Sequence, residues 1–197
     1  MVRNISEVQT LEGWFDWQGF YDQIAEEIKD EDEVIEIGIF HGKSTIYLAK
    51  KLQELKKKVK ITAIDPFLKD FGWGNYSKET TSQNFKDFGV EKMITLIENY
   101  SLKVDDYFKN NSLFMVMLDG DHSYNTVYSE LLRYYPKVKT GGYICGHDAT
   151  GVENGNMFIG PVFHAVYNFC YENRLDFKIH YDVSKNNRGI GFFYIKK

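Results

Sequence analysis

The chain has 197 residues, 43% of them hydrophobic and 16% aromatic, enough to bury one substantial core within a single domain. Its 24 basic and 28 acidic residues leave a formal charge of −4, which argues against a protein that tracks nucleic-acid phosphates. The N-terminus lacks a charged region followed by an apolar run, and no stretch of about 18 apolar residues occurs, so a cytoplasmic protein without membrane contact is expected.

Taken in chain order, Phe20, Ile24 and Ile28 repeat at helical spacing and predict an amphipathic helix near residues 17–30. Residues 1–31 then form a helical extension or lid on a single domain spanning 1–197. Strands are predicted at Glu33–Gly38, Lys60–Asp65, Met93–Glu98, Leu113–Asp119 and Gly142–His147. Helices are predicted around residues 43–57, 77–89, 101–109, 123–135 and 160–173. In the helix at 123–135, Val127, Leu131 and Tyr135 line one face; in the helix at 160–173, Val162, Val166, Phe169 and Cys170 do so. Lysines 50, 51 and 56–58 fall late in the helix at 43–57, where they are read as a solvated face complementing the helix dipole. The segments Asp176–Val183 and Gly189–Lys196, joined by Ser184-Lys185-Asn186-Asn187-Arg188, predict a closing antiparallel hairpin. The alternation of strand and helix makes a mostly parallel α/β sheet with helices on both faces. Pro66, Pro136 and Pro161 fall at element ends, and no linker interrupts the chain. Cys145 and Cys170 lack metal-ligand spacing and are read as buried structural thiols.

The most specific local signal is Glu36-Ile37-Gly38-Ile39-Phe40-His41-Gly42-Lys43-Ser44, where an apolar strand turns into a helix. A dinucleotide fingerprint would need glycine where Phe40 stands. A triphosphate loop fits Gly42-Lys43-Ser44 but is one residue short. The E-x-G-x-x-x-G-x-S form of an S-adenosylmethionine loop accounts for Glu36 as well, because a carboxylate repels triphosphate and attracts a sulfonium amino acid. His41 is read as a surface residue.

In open α/β sheets the ligand lies beyond the carboxyl ends of the strands. Those ends carry Glu36 and Gly38, Asp65-Pro66, Asp119-Gly120-Asp121-His122, and His147-Asp148. Asp65 suits a ribose diol, since an ionised carboxylate accepts both hydroxyl hydrogens. His122 suits a general base at neutral pH; the competing reading makes it a cap on the helix that begins at Ser123. Phe71-Gly72-Trp73-Gly74-Asn75-Tyr76, the loop Val152 to Phe158, and Trp14-Phe15-Asp16-Trp17 are candidates for acceptor selection, against packing in the core.

On Val34-Ile35-Glu36-Ile37-Gly38 with Gly42-Lys43-Ser44, Ile64-Asp65-Pro66, Met117-Leu118-Asp119-Gly120-Asp121-His122-Ser123-Tyr124, and Lys139-Thr140-Gly141-Gly142-Tyr143 with His147-Asp148, the chain resembles the class I S-adenosylmethionine-dependent methyltransferases. Within them it is similar to the small O-methyltransferases that include macrolide-sugar and cephalosporin-type enzymes, over residues 20–195. The resemblance implies a Rossmann-like, seven-stranded, mostly parallel sheet with an antiparallel last strand. It implies a cofactor site of Glu36, Gly38, Phe40, Gly42, Ser44, Asp65, Asn99, Ser101 and Asp119. It implies metal ligands at Asp119, His147 and Asp148, where the imidazole of His147 departs from the oxygen ligands magnesium prefers. That departure leaves three alternatives: a two-carboxylate magnesium site, another divalent ion, or no metal. The implied reaction is O-methylation of a small hydroxylated acceptor, with His122 and Asp119 in the catalytic roles. A P-loop-type phosphotransferase and a non-catalytic binding protein are the rival functions.

Overall fold

The computed structural model describes residues 2–68, 76–153, 156–181 and 189–197. Two compact units divide the chain, Met1–Ser101 and Leu102–Lys197, and each is described by itself.

The first unit opens with a 3₁₀ turn at Ile5–Thr10, followed by α1 (Gln18–Glu27), β1 (Glu33–Ile37), α2 (Lys43–Glu54), β2 (Lys60–Asp65), α3 (Lys78–Asp87) and β3 (Ile94–Glu98). β2 pairs in parallel with both β1 and β3, in a register that sets Glu36 beside Ala63 and Asp65 beside Glu98. Val34, Ile35 and Ile37 of β1 are buried, as are Ile46, Leu48, Ala49 and Leu52 of α2. The apolar spacing that predicts strand and helix is thus the spacing that fills this core. Phe20, Tyr21, Ile24 and Ala25 bury the inner face of α1.

Within this unit the lysine run acts differently from its predicted role. The ammonium of Lys57 donates to the carbonyls of Ala25, Glu26 and Ile28, at 2.6, 2.7 and 2.8 Å, and so closes the end of α1 rather than α2. Lys51 pairs with Asp22 at 3.2 Å, and Lys50 reaches the Phe88 carbonyl at 3.4 Å. Phe15 and Trp17 are core residues, edge to face at 5.1 Å, whereas Trp14 is exposed.

After the short helix α4 (Ser101–Val104), the second unit holds a 3₁₀ turn at Asp105–Tyr107, then β4 (Leu113–Leu118), α5 (Tyr124–Tyr134), β5 (Val138–Glu153), β6 (Asn156–Ile159), α6 (Pro161–Asn173), β7 (Lys178–Tyr181) and β8 (Gly189–Lys196). β4 and β5 are parallel; β8 lies antiparallel to β5, and β7 antiparallel to β8. All six residues of β4 are buried. Pro161 begins α6, where its missing N–H costs nothing, and Val162, Val166, Phe169 and Cys170 line its buried face as predicted. Cys145 and Cys170 are buried and form no disulfide among the described residues, and burial pushes the Cys170 thiol up to about 12.

The α/β class, the parallel βα series and the antiparallel C-terminal strands agree with expectation, and the described residues hold one strand more than the seven implied. The added strand comes from the segment expected as an acceptor loop, Val152 to Phe158. β5 runs on to Glu153 and pairs with β6 from Thr150↔Ile159 to Glu153↔Asn156. The helix expected over 101–109 is a four-residue helix followed by a 3₁₀ turn. In α5 the buried face is Val127, Leu131 and Tyr134; the chain tightens into a 3₁₀ turn at Tyr135, ahead of Pro136. The turn at residues 184–188 and the aromatic stretch 71–75 lie outside the described residues.

Candidate active site

In the first unit the glycine loop joins β1 to α2 through three residues at positive φ: Gly38 at 78°, Phe40 at 49° and Gly42 at 80°. Gly42 is required twice over, by its left-handed backbone and by space, since a Cβ there would lie 2.5 Å from the Phe85 ring. Glu36 is buried, and its two carboxylate oxygens accept hydrogen bonds from the Ser44 hydroxyl and, at 2.8 Å, from the Thr45 hydroxyl. Those bonds permit a charged residue inside an apolar strand and tie the start of α2 to β1. Lys43 donates to the Gly13 carbonyl at 3.0 Å and lies 3.5 Å from that of Gln9, so it straps the N-terminal segment onto the loop. With Lys43 and Ser44 both held by the protein, neither is presented to a triphosphate, and the phosphotransferase reading loses its two key groups.

Asp65, at the end of β2, is 4% exposed. Its carboxylate accepts from the backbone N–H groups of Ile39 (3.0 Å), Phe40 (3.4 Å) and Phe67 (2.8 Å), and from the Tyr76 hydroxyl. Burial and the bond to Asp65 together raise the phenol pKa of Tyr76 far above its ordinary value. The Asn99 backbone N–H donates to the Asp65 carbonyl at 3.2 Å, its side chain caps the Tyr100 N–H at 2.9 Å, and Ser101 is buried at the start of α4. His41, expected at the surface, is buried; its ring lies against Phe40 at 4.2 Å.

The second unit gathers the other predicted residues. His122 Nε2 lies 3.5 Å from Asp119 and 3.3 Å from Asp148, while His147 Nδ1 lies 3.1 Å from Asp148 and 3.8 Å from Asp119. His122 is not the cap of α5. Ser123 fills that position, its hydroxyl accepting from the Thr126 N–H, and Asp121 accepts from the Ser123 N–H at 2.7 Å and the Thr126 hydroxyl at 3.0 Å. His147 and Asp148 sit where the pairing of β5 with β8 loses register between Gly146 and Thr150, and Asp148 has φ of 57°. Such an irregularity turns side chains away from the pleat and toward a site.

Each charge in this group bears on the others. Burial raises the Asp119 carboxyl, against the hydrogen bond with His122. That same bond raises His122, against its own burial. For Asp148 burial acts upward, but the bond to His147 and the charges of the two imidazoles hold it below the usual carboxylate range. Asp119, His122 and Asp148 each offer one ligand atom, all within 4.8 Å of one another, which fits a divalent cation of mixed oxygen and nitrogen preference better than magnesium. The group so placed takes in His122, where the resemblance implied His147; His147, at 3% side-chain exposure, lies behind Asp148 within hydrogen-bond distance.

Sequence reasoning singled out Glu36, Asp65, Asp119, Asp148 and both histidines, but gave no hydrogen-bonding role to Thr45 or Lys43 and read Tyr76 only as an acceptor-side or packing residue. Thr45 follows Ser44 directly and could have been paired with Glu36 from helix geometry. Tyr76 carries no such signal, since it lies 11 positions along the chain from Asp65.

The methyltransferase-domain family profile matches residues 35–149, more than half of the chain. A protein of Acanthamoeba polyphaga mimivirus is 31% identical over 126 residues, covering 61% of this chain. The chain spans about half, 52%, of that relative's length. An O-methyltransferase from Bacillus cereus, solved in complex with S-adenosylhomocysteine, superposes with a TM-score of 0.67 at 16% identity, covering 98% of this chain and 90% of that one. An rRNA methylase from Streptococcus thermophilus superposes with a TM-score of 0.63 at 17% identity, covering 95% and 99%. At these identities the likeness concerns the fold, which is that of Rossmann-like methyltransferases. Among the described residues no helix is long and apolar enough to cross a membrane.

Proposed function

Because the chain belongs to the methyltransferase-domain family and carries the class I fold, we propose that it transfers the methyl group of S-adenosylmethionine to a hydroxyl oxygen of a small acceptor, with His122 as general base. The observation that supports this reading is His122 itself: released from helix capping, 45% exposed, and set within 3.5 Å of both Asp119 and Asp148. Bound S-adenosylmethionine supplies an electrophilic methyl on a sulfonium, so the protein has only to hold the acceptor in line and receive its proton.

In the first unit Asp65 would hold the ribose. Gly38, Phe40 and Gly42 would face the methionine portion, with Glu36 acting through Ser44 and Thr45 to fix that loop. Asn99 and Ser101 would lie toward adenine. In the second unit His122 takes the acceptor proton, and the neighbouring carboxylates stabilise the imidazolium that results. Asp119, His122 and Asp148 could alternatively be recruited by a divalent cation, which when bound would polarise the acceptor hydroxyl.

The test combines binding with turnover. Calorimetry should detect S-adenosylhomocysteine and not ATP. Against a panel of hydroxylated sugars and phenols, His122→Gln should lower turnover of the best acceptor at least about tenfold near neutral pH, with S-adenosylhomocysteine affinity within about twofold of wild type. A chelator that abolishes turnover and spares cofactor affinity would assign the group to a cation; full activity in His122→Gln would remove the base.

A further inference from the structure

A carboxylate offers about four lone-pair positions, and those of Asp65 are all taken. Oδ2 accepts from the Ile39 and Phe40 N–H groups, and Oδ1 from the Phe67 N–H and the Tyr76 hydroxyl. Not even one ribose hydroxyl can therefore be added to this carboxylate until a donor already present leaves. Three of the four are backbone amides built into the turns that flank Asp65, and two of those, at Phe40 and Phe67, stand at φ of 49° in strained left-handed conformations that the fold maintains. The fourth is the end of a side chain, the one donor of the four that can leave without a change in the backbone. The Tyr76 ring rests among Phe40 at 5.2 Å, Phe67 at 5.3 Å and His41 at 6.0 Å, contacts that a phenylalanine would keep.

We propose that the Tyr76 hydroxyl is an internal stand-in for a ribose hydroxyl on Asp65, displaced when an adenosyl-bearing ligand binds, so that Tyr76 sets both the affinity of the site and its selectivity for an intact ribose. The inference rests on the reading of Asp65 as the ribose ligand. Ligand affinity is lowered by the fraction of molecules in which the stand-in is seated, and removing the hydroxyl removes that reduction.

The experiment is calorimetric titration of wild type and Tyr76→Phe with S-adenosylhomocysteine and with an analogue lacking both ribose hydroxyls. Tyr76→Phe should bind S-adenosylhomocysteine about threefold or more tightly than wild type. The analogue, which asks nothing of Asp65, should bind the two proteins equally, and in an Asp65→Ala background the gain from Tyr76→Phe should vanish. Unchanged S-adenosylhomocysteine affinity in Tyr76→Phe would mean that the hydroxyl and the ribose do not compete; weaker affinity would mean that the hydroxyl holds the ligand. Either result overturns the inference while leaving cofactor binding intact. A wild-type protein with no affinity for S-adenosylhomocysteine overturns the cofactor reading and this inference together.

Discussion

His41 shows what a single residue can hide from sequence reasoning. It sits in a glycine loop and invites a surface assignment, yet its ring is buried, and its Nε2 has no hydrogen-bond partner among the described residues, with Glu12 at 3.6 Å. Burial lowers its pKa below the ordinary 6.5, and Glu12 offsets this in part. The unfolded chain therefore takes up its proton at a higher pH than the folded one. Between the lowered folded value and about 6.5 the unfolded state holds more protons, so stability rises with pH through that window. The contribution is complete above the window and lost as pH falls through it. Urea unfolding across this range should show the rise in wild type and a flatter profile in His41→Phe; parallel profiles would uncouple His41 from stability. By contrast, Glu36 and Asp65 are legible in sequence, because an acid that ends an apolar strand stands out against its pattern. That all four positions on Asp65 are already taken by protein donors is not legible, since Tyr76 and the Ile39, Phe40 and Phe67 amides reach it only once the turns are formed.

At the scale of elements, apolar patterning locates strands and helices well wherever burial defines them, as continuous runs in β1 and β4 and as one buried face in α6. It fails where pairing rather than burial defines the element. β5 extends to Glu153 because β6 and β8 pair with its far end, and nothing within Ala149–Glu153 announces those partners. The lysine run fails for a related reason: composition suggests a solvated face, but reach decides, and Lys57 spans from the end of α2 to three terminal carbonyls around α1. Those bonds satisfy acceptors that a helix end otherwise leaves to water, with a positive charge at the negative end of the dipole. Lys57→Met keeps most of the apolar stem and removes the donors, so it should destabilise the protein by about 1–2 kcal/mol. Chemical denaturation at constant m-value would measure this, and a change below about 0.3 kcal/mol would mean that water replaces the ammonium at no cost.

At the scale of the whole molecule, the fold is shared by enzymes that act on very different acceptors, so acceptor class has to be argued from this chain's own properties. An RNA methylase gains most of its affinity from phosphate neutralisation, and its surface is correspondingly basic. Here acidic residues outnumber basic ones, 28 to 24, and lysines 43, 50, 51 and 57 are engaged with protein carbonyls or a carboxylate. The protein is therefore expected to ignore RNA and respond to the adenosyl ligand. At about one hundred times its dissociation constant, a ligand bound by the native state alone adds about 2.7 kcal/mol. For a chain of this size each kcal/mol moves the unfolding midpoint by roughly 2–4 °C, so S-adenosylhomocysteine should raise it by about 5–11 °C. Labelled structured RNA should show no anisotropy change with up to about 100 µM protein at physiological salt, where even non-specific binders respond. RNA binding in that range, with a steep loss on added salt, would move the acceptor from a small hydroxylated molecule to a nucleic acid and leave the cofactor chemistry unchanged.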